Sequence, residues 1–371
     1  MNIAIFSSDL KSVEVNQIDF ILELIERKHN PIIYVLNDSR ESEIFKRINI
    51  KVINIDFLHE DVCMLRSFGP INKLADIFED NGTEILISSS APACIYGAIA
   101  ASRAGVDKII SQFTGIGRLF QTNKKLKKAY IKFLCKRATK KSDKVIFHNM
   151  DNMMFFTDKK LVKSDKAVLL GGYGINTEEY TRTEYKNTNI FLMAASLSVD
   201  KGIWEYIQAA GIVKQLKKDC VFKLLIKPDP SPYAIELSEI MPYAEKGYIE
   251  LAQDYDENLE KFMDGCSCFV LPSYHEAMPF ELLLAMAKGR PVIASDVPGC
   301  RDAVLDGING YIIPPQNVEV LVQRILSILD NPEKSAEMAK ESYSICTQKY
   351  DVYDVADKLI DIIFTPVGDD K

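Results

Sequence analysis

Ser273-Tyr274-His275-Glu276-Ala277-Met278-Pro279-Phe280 is the stretch on which the reading of this chain turns. It runs off an apolar segment, Cys268-Phe269-Val270-Leu271-Pro272, whose length and flanks suit a buried strand. It leads into Glu281-Leu282-Leu283-Leu284-Ala285-Met286-Ala287-Lys288-Gly289, a helical pattern with Pro279 placed for its first position. A strand, a short loop carrying one carboxylate and a helix start together aim unpaired backbone N–H groups and a positive helix end at one point. Such a point suits an anion such as a pyrophosphate. A second strand, Pro291-Val292-Ile293-Ala294, follows at once, and then Ser295-Asp296-Val297-Pro298-Gly299-Cys300-Arg301-Asp302-Ala303-Val304 and Asp306-Gly307-Ile308-Asn309-Gly310-Tyr311-Ile312-Ile313-Pro314-Pro315.

Outward from this run, short apolar stretches alternate with helical periodicity along the whole chain. Strand patterns fall at residues 3–6, 32–36, 84–88, 109–113 and 145–148, and a second series at 190–194, 221–226, 248–251, 268–271, 292–294 and 311–313. Strands separated by helices predict α/β domains with mainly parallel, doubly wound sheets. At 371 residues the chain exceeds the size at which one core keeps growing, so two domains are expected. The glycines of Gly171-Gly172-Tyr173-Gly174 and the polar residues up to Asn189 mark the linker, dividing the chain into 1–180 and 181–349. Three amphipathic patterns close the sequence at 318–329, 332–347 and 352–364.

The charge is unevenly spread. Through Tyr180 there are 26 Lys plus Arg against 22 Asp plus Glu, a net of +4, and the remainder carries 19 against 30, a net of −11. A basic first half suggests an anionic partner surface, and an acidic second half argues against nucleic acid. The eight cysteines show no CxxC or Cys/His metal spacing, which points to free thiols in a reducing cytoplasm. No apolar run reaches the roughly 20 residues that span a bilayer, so membrane contact is expected to be peripheral. Residues 123–144 hold ten basic side chains and one acidic, with Leu126, Tyr130, Phe133 and Leu134 at helical spacing. That basic helix suits an anionic leaflet, or else packs its apolar stripe on the first sheet with its lysines solvated.

Residues 267–315 resemble the donor-binding core of the retaining glycosyltransferases of family 4. This GT-B group includes the polyprenyl-linked-glycan transferases of bacterial capsule, O-antigen and protein-glycan assembly. The resemblance implies two Rossmann-like domains facing a central cleft, with the last helix, about 350–371, crossing back onto the first. It also implies a nucleotide-sugar donor, most naturally a UDP-sugar, a lipid-linked glycan acceptor, no metal and no other cofactor, at the inner face of the cytoplasmic membrane.

The loop Ser196-Leu197-Ser198-Val199-Asp200-Lys201-Gly202 follows the first strand of the second half, with Asp200 as a candidate N-cap. From position alone Lys201 is a solvated lysine. The resemblance makes it the cation that neutralises the leaving diphosphate, with Ser196 and Gly202 beside it. By the same resemblance Glu276 contacts the donor sugar, and Ala277, Met278, Pro279 and Phe280 bring backbone to the phosphates. His275 is a general base or an ordinary loop histidine.

Two positions depart from the family pattern. Leu284 stands eight residues after Glu276, where a second glutamate grips the ribose, and Ser196 stands where an arginine is expected. Glu281 is five residues after Glu276, and its different helical angle makes it a poor substitute. These losses keep open a rival, a non-catalytic GT-B subunit that scaffolds or activates a partner transferase. An epimerase or phosphorylase is the weaker third reading. On the acceptor side, Phe113-Thr114-Gly115-Ile116-Gly117-Arg118 resembles the Thr-Gly-Leu-Gly loop of transferases that extend polyprenyl-diphosphate sugars, offering Thr114, Gly115 and Arg118 as acceptor contacts or a turn without a ligand.

Overall fold

The computed structural model describes residues 1–59, 61–62, 69–120, 124–229, 233–253 and 255–365. The chain divides into two compact units, one of Met1–Gly174 with the segment from Val352 onward, the other Ile175–Asp351. Among the described residues the first unit holds a parallel sheet of β1 (Asn2–Ser7), β2 (Asn30–Leu36), β3 (Lys51–Ile55), β4 (Ile85–Ser89), β5 (Lys108–Phe113), β6 (Lys144–Phe147) and β7 (Ala167–Leu169), in the order β3-β2-β1-β4-β5-β6-β7. The second unit holds β8 (Ile190–Ser196), β9 (Val221–Lys227), β10 (Glu250–Ala252), β11 (Cys268–Leu271), β12 (Val292–Ser295) and β13 (Gly310–Ile313), in the order β10-β9-β8-β11-β12-β13.

Both faces of each sheet are covered, which is why the strands read as unbroken apolar runs rather than alternating ones. In β1 the side chains of Ile3 and Ile5 enter one layer, and those of Ala4 and Phe6 the other. The first layer is completed by the helix Val352–Phe364, whose Val355, Ala356, Leu359, Ile360 and Ile363 pack with Phe20, Ile21 and Leu24. In the second unit Met193, Leu224 and Val270 face one layer, while Leu192, Phe269, Leu271 and the helix Phe280–Ala287 form the other. Each fully buried Leu or Ile in these layers contributes about 1.5–3 kcal/mol.

Several local expectations are corrected. Strands β3 and β7 had no counterpart in the sequence reading, because they are sheet edges with half-exposed residues that break the apolar run. Pro279 is the cap residue and not the first helical one, with ψ of 128°, and the helix starts at Phe280. Asp200 is not an N-cap: it lies in the 3-10 turn Val199–Lys201, its carboxylate accepts from Ser198 Oγ at 2.5 Å, and Gly202 begins the helix Ile203–Leu216. The basic helix is shorter than 123–144, running Lys125–Lys141, since Ser142 ends it and Lys144 already belongs to β6.

Candidate active site

In the second sheet the strand order reverses between β8 and β11, which are neighbours although their first residues, 190 and 268, lie 78 positions apart. Open α/β sheets bind ligands beyond the carboxyl ends of their strands at such a reversal. The loops leaving these two strands meet there. The amide of Tyr274 donates to the carbonyl of Asp200 at 2.8 Å, and the Tyr274 hydroxyl donates to Glu205 at 2.7 Å.

Glycine is required at two contacts that hold these loops. Gly202 has φ of +77°, and a Cβ there would lie 2.2 Å from the carbonyl oxygen of Pro272. A Cβ on Gly299, in the helix Pro298–Ala303, would lie 2.0 Å from the carbonyl oxygen of Ala277. Backbone therefore packs directly on backbone on both sides of the 273–278 loop.

The result is an ion pair: Lys201 Nζ lies 2.6 Å from Glu276 Oε1, with the lysine side chain 25% exposed and the glutamate 10%. Burial works against the charge on Lys201, but the carboxylates of Glu276 and Glu281 outweigh it and hold the ammonium above its ordinary pKa. Beside the pair, the amides of Phe280, Glu281 and Leu282 open the helix and have no backbone acceptor within it. A short-lived negative charge placed here would meet one ammonium and the positive end of a helix.

The predicted residues separate into roles. Lys201 and Glu276 are brought together, and Ala277, Met278 and Phe280 are half-buried around them. Gly202 and Pro279 shape backbone. Ser196 ends β8. Leu284 is only 1% exposed and sealed in the core layer, so a leucine there has no surface to offer a ligand. His275 is exposed.

In the first unit Thr114 and Gly115 are half-buried just past β5, and the side chain of Arg118 lies outside the described residues. Sequence reasoning assigned no role to the buried polar groups at the ends of β4, β5 and β6. Among the described residues, the Oγ of Ser90, both amide atoms of Gln112 and Nε2 of His148 are buried without a hydrogen-bond partner. Ser90 also holds φ of +79°. An unpaired buried polar atom costs about 1–3 kcal/mol, so a group of them marks a place for ligand or water. The signal in the sequence was a polar residue closing an otherwise apolar strand. Burial pushes the His148 imidazole down to about 3, and its ring meets that of Tyr173 edge-on at 4.5 Å.

On the helix Lys125–Lys141, Ile131, Leu134, Cys135 and Ala138 face the core. Leu126 and Phe133 do not: they are 87% and 53% exposed, among lysines, with Phe133 stacked on Tyr130. The expected stripe is thus split between a core face and an outer apolar edge. No described helix is long and apolar enough to cross a membrane.

The chain is similar to known proteins over most of its length. Residues 176–345 match the family described as Glycosyl transferases group 1, and residues 4–149 the family Glycosyl transferase 4-like. The chain is 25% identical over 360 residues to N,N'-diacetylbacillosaminyl-diphospho-undecaprenol alpha-1,3-N-acetylgalactosaminyltransferase of Campylobacter jejuni, covering 92% of this chain and 93% of that protein. It is 21% identical over 363 residues to UDP-Gal:alpha-D-GlcNAc-diphosphoundecaprenol alpha-1,3-galactosyltransferase of Escherichia coli, covering 92% and 88%. In structure it is similar to Anabaena HepE in complex with UDP, with a TM-score of 0.79 and 16% identity over 99% of this chain and 100% of that one.

Proposed function

Since the chain belongs to the group 1, or family 4, glycosyltransferases of GT-B fold, we propose that it moves a sugar with retention from UDP to a lipid-linked glycan acceptor. The product belongs to bacterial surface-glycan or protein-glycan assembly, and the reaction runs at the inner face of the cytoplasmic membrane. The observation that carries the donor assignment is the Lys201–Glu276 pair at the sheet's reversal point, next to an uncapped helix start. Support for the acceptor class comes from the undecaprenyl-diphosphate substrates in the names of two relatives that align over most of the chain. The first-unit loop at Thr114 and Gly115 and the unpaired Ser90, Gln112 and His148 provide polar groups for the acceptor's hydroxyls.

In the reaction, the bond from the sugar's anomeric carbon to the diphosphate oxygen breaks and a bond to the acceptor oxygen forms. The acceptor's proton passes to the departing phosphate oxygen on the same face. Negative charge grows on the diphosphate, and Lys201 with the amides of Phe280 to Leu282 meets it where it grows. Glu276 leaves its lysine partner to accept from the sugar's hydroxyls. No metal is needed in this scheme, because the ammonium and the helix end supply the counter-charge.

The test is Glu276→Ala assayed with a donor identified by screening UDP-sugars. Turnover should fall at least tenfold with the fold retained, and near wild-type turnover would refute the assignment. Membrane placement rests on the outer edge of the basic helix, where Leu126 and Phe133 stand exposed among lysines.

A further inference from the structure

Ser196 and Leu284 leave the donor site short of a guanidinium and a carboxylate relative to the family pattern. The structure shows a lysine and a glutamate beside the two vacated positions. Ser196 pairs in register with Lys227, the last residue of β9. Paired residues of parallel strands are about 4.8 Å apart and project to the same face, so a cation at 227 starts next to where one at 196 would start. Leu284 lies three residues after Glu281 on the helix Phe280–Ala287. Residues three apart share a face, and helical side chains lean toward the N-terminus, so a glutamate at 284 would cover the surface of the turn that holds 281. Comparison with position 284, rather than with Glu276, is the one that bears on substitution.

The two residues are also in contact. Lys227 Nζ lies 3.5 Å from Glu281 Oε1, and the Tyr255 hydroxyl donates to that same oxygen. The Lys227 ammonium sits 4.3 Å from the centre of the Tyr255 ring. Burial works against the charge on Glu281, but Lys227 and Lys201 keep its carboxylate below the ordinary range, so it is an acceptor at neutral pH. Lys227 and Tyr255 further line a cavity of about 700 Å³ bounded by Leu197, Ile226, Ile235 and Gln253, a volume in the range of small-molecule sites. The charge lost at 196 and 284 is therefore present one strand and one helical turn away, with Lys227 lining a cavity.

We propose that Lys227 and Glu281 are a relocated charge pair of the donor site: Lys227 is the second cation on the nucleoside diphosphate, and Glu281, oriented by Tyr255, accepts the ribose hydroxyls. This rests on the donor reading given above. Lys227 and Glu281 satisfy each other, and the ligand replaces that contact with its own phosphate and hydroxyl groups.

Isothermal titration of the full chain with UDP and with 2′,3′-dideoxy-UDP tests the pair. Lys227→Met should weaken UDP binding roughly tenfold to a hundredfold, the range for one charged hydrogen bond. Lys227→Arg should retain the affinity, and adding Ser196→Arg to Lys227→Met should restore most of it. Wild type should prefer UDP over the dideoxy analogue about tenfold or more, and Glu281→Gln should bind the two alike. Thermal unfolding of each variant reports on folding, and restoration by Ser196→Arg excludes a folding defect as the cause. Lys227→Met within twofold of wild type, or Glu281→Gln with its preference intact, overturns the relocation while the donor reading stands. Failure of wild type to bind UDP, GDP or ADP overturns the donor reading and the relocation with it.

Discussion

Gly202→Ala should do more damage than its single methyl group suggests. Two effects act at once. A residue with a Cβ held at φ of +77° costs about 1–2 kcal/mol relative to glycine. The new Cβ would also lie 2.2 Å from the Pro272 carbonyl oxygen, where real contacts do not fall below 3.0 Å, so backbone must retreat by about 0.8 Å. Pro272 leads straight into Ser273–Glu276, and Gly202 directly follows Lys201, so the retreat falls on the 2.6 Å Lys201–Glu276 pair. A misplacement near 1 Å can cost about a hundredfold in rate, or about 2.7 kcal/mol of barrier. Gly247→Ala is the matched control: its φ is +72° and a Cβ there would meet nothing within 4 Å. It should lose about 1–2 kcal/mol of stability and keep its activity. Urea unfolding and kcat/KM with the identified donor should be measured for both variants. If Gly202→Ala is no less stable than Gly247→Ala and matches its kcat/KM, backbone contact does not hold the two loops together.

Two further outcomes follow from the first unit. His148 is neutral when folded, with its pKa near 3, but titrates near 6.5 when unfolded; between these values the unfolded chain binds the extra proton, so stability falls as pH drops. The slope from this residue should approach about 1.4 kcal/mol per pH unit below pH 6, and unfolding free energies at pH 7.5, 6 and 5 should show it in wild type and less of it in His148→Gln; parallel profiles would exclude it. Sedimentation with phosphatidylglycerol vesicles should capture the protein at low salt and release it at high salt, each basic group near the surface adding about 1 kcal/mol. Leu126→Asp with Phe133→Asp should weaken capture without changing unfolding, since both side chains are exposed; equal binding to phosphatidylcholine vesicles would contradict the basic-helix account.

The doubly wound architecture was legible because its strands are buried on both faces. Segments such as Ile3-Ala4-Ile5-Phe6 and Cys268-Phe269-Val270-Leu271 must be apolar at every position, and no helix boundary interrupts them. Edge strands obey no such rule: in Lys51–Ile55 only Ile55 is buried, Val52 and Ile53 are half-buried and Lys51 and Asn54 are exposed, and its pairing with β2 is set by tertiary context. Local caps were misplaced by a residue or two for a similar reason. Asp200 has the chemistry of an N-cap, but a 3-10 turn intervenes and its oxygen is taken by Ser198. The unpaired Gln112 and His148 stood in plain view as polar ends of apolar strands, yet only burial shows that their polar atoms lack partners.

The donor site shows where motif spacing stops being informative. Spacing along one helix locates Leu284 as a loss, because it compares a single position with a pattern. It cannot see that Lys227, 31 positions after Ser196, is its neighbour, since 227 − 196 says nothing about register until the β8–β9 pairing is known. A diphosphate responds to the distance and desolvation of a cation rather than to the strand that delivers it. Charge can therefore migrate between adjacent strands, or by one helical turn, with little electrostatic consequence. Judged by spacing, the site is missing two charges; judged by the distances among Lys201, Lys227, Glu276, Glu281 and Tyr255, it holds two cations and two carboxylates around one helix start. Catalytic competence should then depend on that local set of charges, so moving the cation back to position 196 should cost little.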